Sequence, residues 1–65
     1  MNETVKIWLE KLYTKEIEEI KGTISNEHIW ELGYDGEEPN PHTGNIEVLK
    51  EYLELLEEKL NEIQN

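Results

Sequence analysis

The sequence predicts an all-α protein, a two-helix antiparallel hairpin that assembles into a homo-oligomeric helical bundle. Two long segments have apolar residues at the three- and four-residue spacings of an amphipathic helix, and one stretch between them has the composition of a loop. The chain has 65 residues and no cysteine, so its small core has neither disulfide bonds nor cysteine-ligated zinc. We therefore expect one domain, residues 1–65, stabilised by oligomerisation.

The first helix is expected over residues 2–24, with Asn2 as its N-cap. Its apolar residues recur at helical spacing, which places them on one broad face. This face contains Val5, Trp8, Leu9, Leu12, Tyr13, Ile17, Ile20 and Ile24. Such a face predicts packing against at least one other helix.

The pattern changes after Ile24, because the same face would continue through Glu27 and Glu31. Glycine has a low helix propensity, so Gly22 weakens the helix at this point. The sequence therefore predicts a bend or break near residues 22–26 and a short separate helix over residues 26–32.

A loop is expected over residues 33–44, where an Asp-Gly pair and two prolines favour turns. The second helix is expected over about residues 45–64. Its start has two solutions: an early one with Asn40 as cap and Pro41 as first helical residue, or a later one with Thr43 or Asn45 as cap.

The second helix contains an uninterrupted heptad pattern, which is typical of a packing seam. The seam positions are Ile46, Leu49, Leu53, Leu56, Leu60 and Ile63. A second apolar stripe of Val48, Tyr52 and Leu55 widens this face beyond what one neighbouring helix covers. The extra width favours a bundle of several hairpins.

The chain is strongly acidic, with 16 acidic residues, six lysines, no arginine and a net charge of −10. This charge argues against direct binding of nucleic acid, which requires a basic surface. The longest apolar run has three residues, and the first residues have no basic flank, so we expect no membrane partner and a cytoplasmic location.

The centre of the chain collects residue types that stack on bases and hydrogen-bond to them. The candidate ligand-binding residues are Asn26, Trp30, Tyr34, His42, Thr43 and Asn45. Free N–H groups at the start of the second helix would suit a phosphate. The competing interpretation is structural: the two aromatic residues close the end of the hairpin, while the Asn and His residues cap helices and turns.

A second candidate surface is an acidic stripe opposite the heptad seam. Its members are Glu47, Glu51, Glu54 and Glu58, with carboxylates about 5–6 Å apart along the helix. Such a row approximates the phosphate spacing of DNA and suits the basic groove of a host protein. The competing interpretation is a solvated helix face.

The residues that could support metal binding or catalysis are sparse. His28 and Glu31 have a spacing that could share a metal with His42, but one such pair is expected by chance in an acidic chain. No nucleophile and base occur at a catalytic spacing, and no glycine-rich phosphate loop is present. We therefore expect no metal, no cofactor and no enzymatic activity.

One sequence pattern resembles that of small acidic helical proteins of phages and prophages of Gram-positive bacteria. It reads Asn26-x-x-x-Trp30-x-Leu32-Gly33, followed by His42-x-x-Asn45-Ile46-x-x-Leu49-x-x-Tyr52-Leu53, and covers about half of the chain. The resemblance implies an anti-defence protein that inhibits a nuclease, mimics DNA or sequesters a nucleotide immune signal. The first hypothesis is a homo-oligomeric sponge for a small nucleotide; the alternatives are an acidic inhibitor of a nucleic-acid-binding host protein and a purely structural bundle.

Overall fold

The computed structural model describes all 65 residues, as two α-helices that pack against each other. Helix α1 spans Glu3–Gly33 and helix α2 spans Pro41–Gln64, with residues 34–40 as the connection. The molecule measures 53 × 14 × 11 Å, so it is a rod only one helix pair thick. The all-α prediction is confirmed. Neither helix is long and apolar enough to cross a membrane.

The core is a narrow strip between the two helices. Only three apolar residues are buried, Ile17 of α1 and Ile46 and Leu56 of α2. The half-buried apolar residues beside them are Leu9, Tyr13, Ile20, Ile24, Leu49, Leu53, Leu60 and Ile63. All six heptad positions of α2 therefore face α1, as their spacing predicts.

Two side-chain contacts establish how the helices align. The imidazole of His42, near the start of α2, lies 2.7 Å from the carboxylate of Glu27. Further along α2, the Tyr52 hydroxyl donates a hydrogen bond to Glu16. Desolvation between the helices, together with the Glu16 carboxylate, raises the pKa of the Tyr52 phenol. Later positions in α2 thus contact earlier positions in α1.

The predicted break near residues 22–26 is wrong. Helix α1 continues through Gly22 to Gly33, so the separate helix expected over residues 26–32 is the final part of α1. No residue here adopts a positive φ angle, and the Thr23 hydroxyl donates to the Glu19 carbonyl inside the same helix. One glycine costs a helix only about 1 kcal/mol, which continuous backbone hydrogen bonding and packing on both sides offset.

The helix keeps its phase because the inward positions after Ile24 are filled by acidic residues that have partners. Glu27 is only 9% exposed. Because these acidic residues occupy the inward positions, the apolar residues of this segment face solvent: Ile29 is 65%, Trp30 55% and Leu32 87% exposed. Polar contacts between the helices thus outweigh burial of the apolar side chains at this end of α1.

The connection between the helices is shorter than the predicted loop over residues 33–44. Helix α2 begins at Pro41, the earlier of the two predicted starts, and the start near residue 45 is wrong. The Asn40 side chain caps the helix by accepting a hydrogen bond from the His42 N–H at 3.0 Å. Proline suits the first helical position because it has no N–H to leave unsatisfied.

We expect Gly22→Ala to raise the free energy of unfolding by about 1 kcal/mol, because alanine has the higher helix propensity. A Cβ atom at Gly22 would meet no other atom within 4 Å, so no strain opposes the gain. Circular dichroism at fixed protein concentration should show a midpoint higher by about 5 °C. Gly33→Ala, at the last residue of α1, is the matched control and should give a smaller shift. A lower midpoint for Gly22→Ala would contradict a continuous α1.

Candidate functional site

Polar side chains of the two helices meet where the helices are joined. The last turns of α1 supply two carboxylates, and the first turn of α2 supplies their donors. We call this group the loop-end cluster; it consists of Glu27, Glu31, Asn40, His42, Thr43 and Asn45. Glu27 and Glu31 are four residues apart, so they lie on the same face of α1 and both point toward α2.

Glu27 is the most buried member of the loop-end cluster. One of its oxygens, Oε2, lies 2.7 Å from Nδ1 of His42 and accepts a hydrogen bond from the Asn45 amide at 3.3 Å. No buried side-chain nitrogen or oxygen in the protein lacks a hydrogen-bond partner. The carboxylate is therefore tolerated in the interface because α2 satisfies it.

Glu31 lies one turn further along α1. The Thr43 hydroxyl donates to its Oε2 at 2.7 Å, and the His28 imidazole lies 3.5 Å from its Oε1. The Thr43 hydrogen bond is the main cause that holds the pKa of the Glu31 carboxyl below its ordinary value; desolvation opposes the shift, and His28 and His42 add to it. This stabilising effect is present at neutral pH and is lost as the pH falls through the lowered pKa.

Asn40 forms hydrogen bonds with backbone groups of both helices at this end of the molecule. Its side-chain amide donates to the Glu31 carbonyl at 3.0 Å, and the Tyr34 N–H donates to the same carbonyl. Asn40 thus caps the start of α2 with its oxygen and the end of α1 with its nitrogen. One side chain thereby anchors both ends of the connection.

Two aromatic residues flank His42. The Trp30 ring centroid lies 5.8 Å from the imidazole centroid, and the Tyr34 ring lies 6.3 Å from it nearly edge-on. The Tyr34 phenol also packs against Gly36, where an added Cβ would overlap the ring. Tyr34 is half-buried, whereas the Trp30 indole remains 55% exposed.

The structure brings five of the six predicted ligand-binding residues together. His42, Thr43 and Asn45 are hydrogen-bonded to carboxylates of α1, and Trp30 and Tyr34 surround His42. The sixth residue, Asn26, is exposed on α1 and makes no hydrogen bond to the others. An open groove of about 340 Å³ lies beside Glu27 and Asn45 and continues along Thr23, Val48 and Leu49.

The charge of the loop-end cluster determines which ligands it suits. Two carboxylates already lie against the N-terminal turn of α2, where the helix dipole favours negative charge. Hydrogen bonds to these carboxylates also occupy side chains that a ligand would need. Glu27 and His42 form a carboxylate–imidazole pair of the kind that orients general bases, but the neighbouring Thr43 hydroxyl is bonded to Glu31.

The residues that the sequence suggests as metal ligands are divided between two separate pairs. His28 and Glu31 are close together, as their spacing indicates, but His42 is directed to Glu27. No group of three or more His, Cys, Asp or Glu side chains is arranged to hold a metal ion.

The reasoning from sequence gave Glu27 no functional role and considered Glu31 only as a metal ligand beside His28, although the loop-end cluster forms around these two residues. It treated them as evidence that α1 could not continue in phase. Two features of the sequence indicate their role. Both glutamates continue the spacing of the apolar face of α1, and the segment that precedes the heptad seam of α2 is polar. Acidic residues in such positions can hydrogen-bond across an interface as well as interrupt it.

The acidic face is the second candidate surface, and we define it as Glu47, Glu51, Glu54 and Glu58. All four side chains are exposed on α2. None lies within ion-pair distance of a lysine or histidine nitrogen; the carboxylates that do are Glu31 beside His28, Glu27 beside His42 and Glu62 beside Lys59. The acidic face therefore carries four carboxylates without an ion-pair partner on the side of α2 that points away from α1, with Lys50 beside them.

Comparison with family models, with curated proteins and with solved structures gives no match for this chain. The geometry of the loop-end cluster and of the acidic face therefore provides the support for a function.

We expect Glu27→Ala to destabilise the fold by about 1–3 kcal/mol, because it leaves His42 and Asn45 without their acceptor inside the interface. Chemical denaturation followed by circular dichroism measures the change. Glu47→Ala is the matched control: Glu47 is exposed and unpaired, so its removal should change stability by about 0.5 kcal/mol or less. Equal stability of the two variants would show that the Glu27 contacts contribute nothing.

Proposed function

We propose that the protein is a non-enzymatic binding protein, an antiparallel helical hairpin whose acidic face occupies a basic groove of a nucleic-acid-binding protein. The observation that carries this proposal is the absence of any cation within ion-pair distance of Glu47, Glu51, Glu54 or Glu58. A solvated face of a small domain usually intersperses both signs of charge. Here one lysine, Lys50, lines the same surface depression as Glu47, Glu51 and Glu54 but forms no ion pair with them. The four carboxylates therefore stay open to a partner.

The physical basis of such binding is electrostatic. Side chains at three- and four-residue spacing on a helix have Cβ atoms about 5–6 Å apart, so the four carboxylates form one row of negative charge. The phosphates of a DNA strand also form a row of negative charge, although a denser one. A net charge of −10 on 65 residues steers the protein toward a basic cleft and raises the association rate. Binding of this kind weakens as the salt concentration rises.

The biological setting of this proposal follows from the resemblance to small acidic phage and prophage proteins. In that setting the protein is an anti-defence protein that acts in the cytoplasm of the bacterial host as a homo-oligomer. Its target is a nuclease or another defence protein whose nucleic-acid groove is basic.

Charge reversal tests the acidic face. We expect Glu47→Lys combined with Glu54→Lys to raise by at least tenfold the concentration that displaces labelled duplex DNA from a basic partner. Fluorescence anisotropy with a panel of purified bacterial nucleases and guide-RNA effectors measures the displacement at two salt concentrations. The control combines Glu18→Lys with Glu37→Lys, which makes the same change of net charge at exposed positions outside the acidic face.

Two results would refute the proposal. One is the absence of displacement by the native sequence across the whole panel. The other is equal displacement by the acidic-face variant and by the control, since net charge alone would then explain the competition.

A second candidate function is capture of a small nucleotide at the loop end. The observation that favours it is the exposed Trp30 indole beside His42, a platform on which a base can stack. The two carboxylates of the loop-end cluster oppose it, because they repel phosphate.

Calorimetry with cyclic dinucleotides and ADP-ribose derivatives tests this second function. Binding should be lost in Trp30→Ala, because the stacking surface is removed. Trp8→Phe, the matched change at the other tryptophan, should retain binding, and it leaves Trp30 as the only indole whose fluorescence a ligand can quench. No heat at millimolar ligand would exclude nucleotide capture.

A further inference from the structure

One side of the hairpin carries a large apolar surface that no other part of the chain covers. On α1, a row at three- and four-residue spacing contains Val5, Trp8, Leu12, Glu16, Glu19 and Thr23. On α2, the corresponding row contains Asn45, Val48, Tyr52, Leu55 and then Lys59, which is paired with Glu62. The row on α1 therefore begins with apolar residues, and the row on α2 is apolar in its centre.

Two contacts show that these rows lie on the same side of the hairpin. Glu16 of the first row is hydrogen-bonded to Tyr52 of the second. Thr23 of the first row lines one groove together with Asn45 and Val48 of the second. We define the apolar face as the exposed apolar members of both rows: Val5, Trp8, Leu12, Val48, Tyr52 and Leu55.

The size of the apolar face suits a protein interface. Its members are between 42% and 65% exposed, although the whole chain buries only three apolar residues. A whole aromatic side chain offers about 150–250 Å² and an aliphatic one somewhat less, so the six expose on the order of 700 Å² per chain. This approaches the roughly 800 Å² that each partner buries in a standard interface.

The charges along the edges of the apolar face identify what covers it. Lys11 and Lys15 follow Trp8 and Leu12 by three residues, which places both lysines on the edge away from α2. Glu51 and Glu58 follow Val48 and Leu55 by three residues on α2, on the edge away from α1. None of these four charged residues forms an ion pair within the chain.

These edge charges lie at matching heights along the rod. The Tyr52–Glu16 hydrogen bond places position 52 level with position 16, and the two helices run in opposite directions from there. Counting along each helix at 1.5 Å per residue puts Glu58 level with Lys11 to within about 2 Å, and Glu51 level with Lys15 to within about 3 Å. One edge is therefore basic where the other is acidic.

We infer that the apolar face binds a second copy of this chain, with α1 of each copy lying on α2 of the other. A two-fold axis parallel to the helices produces this arrangement and places both loops at the same end. It brings Lys11 and Lys15 against Glu58 and Glu51 of the second copy, as the edge charges do in coiled coils. The perpendicular two-fold axis would place α2 on α2 and bring the acidic edges together.

The proposed function includes a homo-oligomer, and the dimer described here gives the surface and symmetry of that assembly. The dimer does not depend on the nucleic-acid-binding target. Glu47 and Glu54, the residues reversed in the displacement test, are not among the four edge charges. A failed displacement test therefore leaves the dimer intact, and loss of the dimer is detected without any partner.

The first test measures mass in solution. Native mass spectrometry and sedimentation velocity of the full chain at about 100 µM should give a dimer or a larger assembly with an even number of chains. Leu12→Glu should weaken self-association by at least tenfold, because it places a charge in the dimer interface. Leu32→Glu, the same change at an exposed leucine outside the apolar face, should leave the dissociation constant within twofold. A monomeric native protein, or equal effects of the two variants, would overturn the inference.

The second test measures orientation without disturbing the interface. Because the chain has no cysteine, Glu37→Cys in the connection gives one spin label per copy. With α1 on α2 of the second copy, the two labels should be about 20–30 Å apart, given helix spacings of about 8–10 Å. The perpendicular axis would separate them by about the 53 Å length of the rod or more, and that result would overturn the proposed symmetry.

Discussion

The contact between Glu27 and the first turn of α2 is the constraint on which the rest of the structure depends. His42 and Asn45 supply donors to one carboxylate, and this acceptor is placed inward by the continuous phase of α1. A buried carboxylate is stable only with such partners. The contact therefore explains the continuity of α1, the early start of α2 and the short connection between them.

The same constraint determines which surfaces remain open. Because Glu27 and Glu31 face α2, the tryptophan and the aliphatic residues of the last turns of α1 face solvent. A rod one helix pair thick also has no second layer to cover the apolar face. Its three buried apolar residues make a small core, and small domains are commonly stabilised further by disulfides, metals or oligomerisation.

The three surfaces of the protein have different chemistry. The acidic face carries carboxylates without an ion-pair partner, the loop-end cluster is internally hydrogen-bonded, and the apolar face is bordered by lysines on one edge and glutamates on the other. The loop-end cluster joins the two helices, and the acidic face and the apolar face remain exposed. Assembly through the apolar face would leave Glu47 and Glu54 of each copy outside the interface, whereas Glu51 and Glu58 would lie against lysines of the second copy.

The sequence by itself determined the helical class, the seam of α2 and the cap at Asn2, because these depend on spacing and on local hydrogen bonds. It left the start of α2 open between Asn40 and a later cap, and the structure has Asn40 as the cap. It also identified Trp30, Tyr34, His42, Thr43 and Asn45 as one group. Only the tertiary structure decided what those residues contact and that α1 continues past Gly22. The physical reason is that an acidic residue on an apolar face has opposite consequences with and without donors across the interface. Those donors lie 15 and 18 residues away in the chain, so no local pattern contains the information.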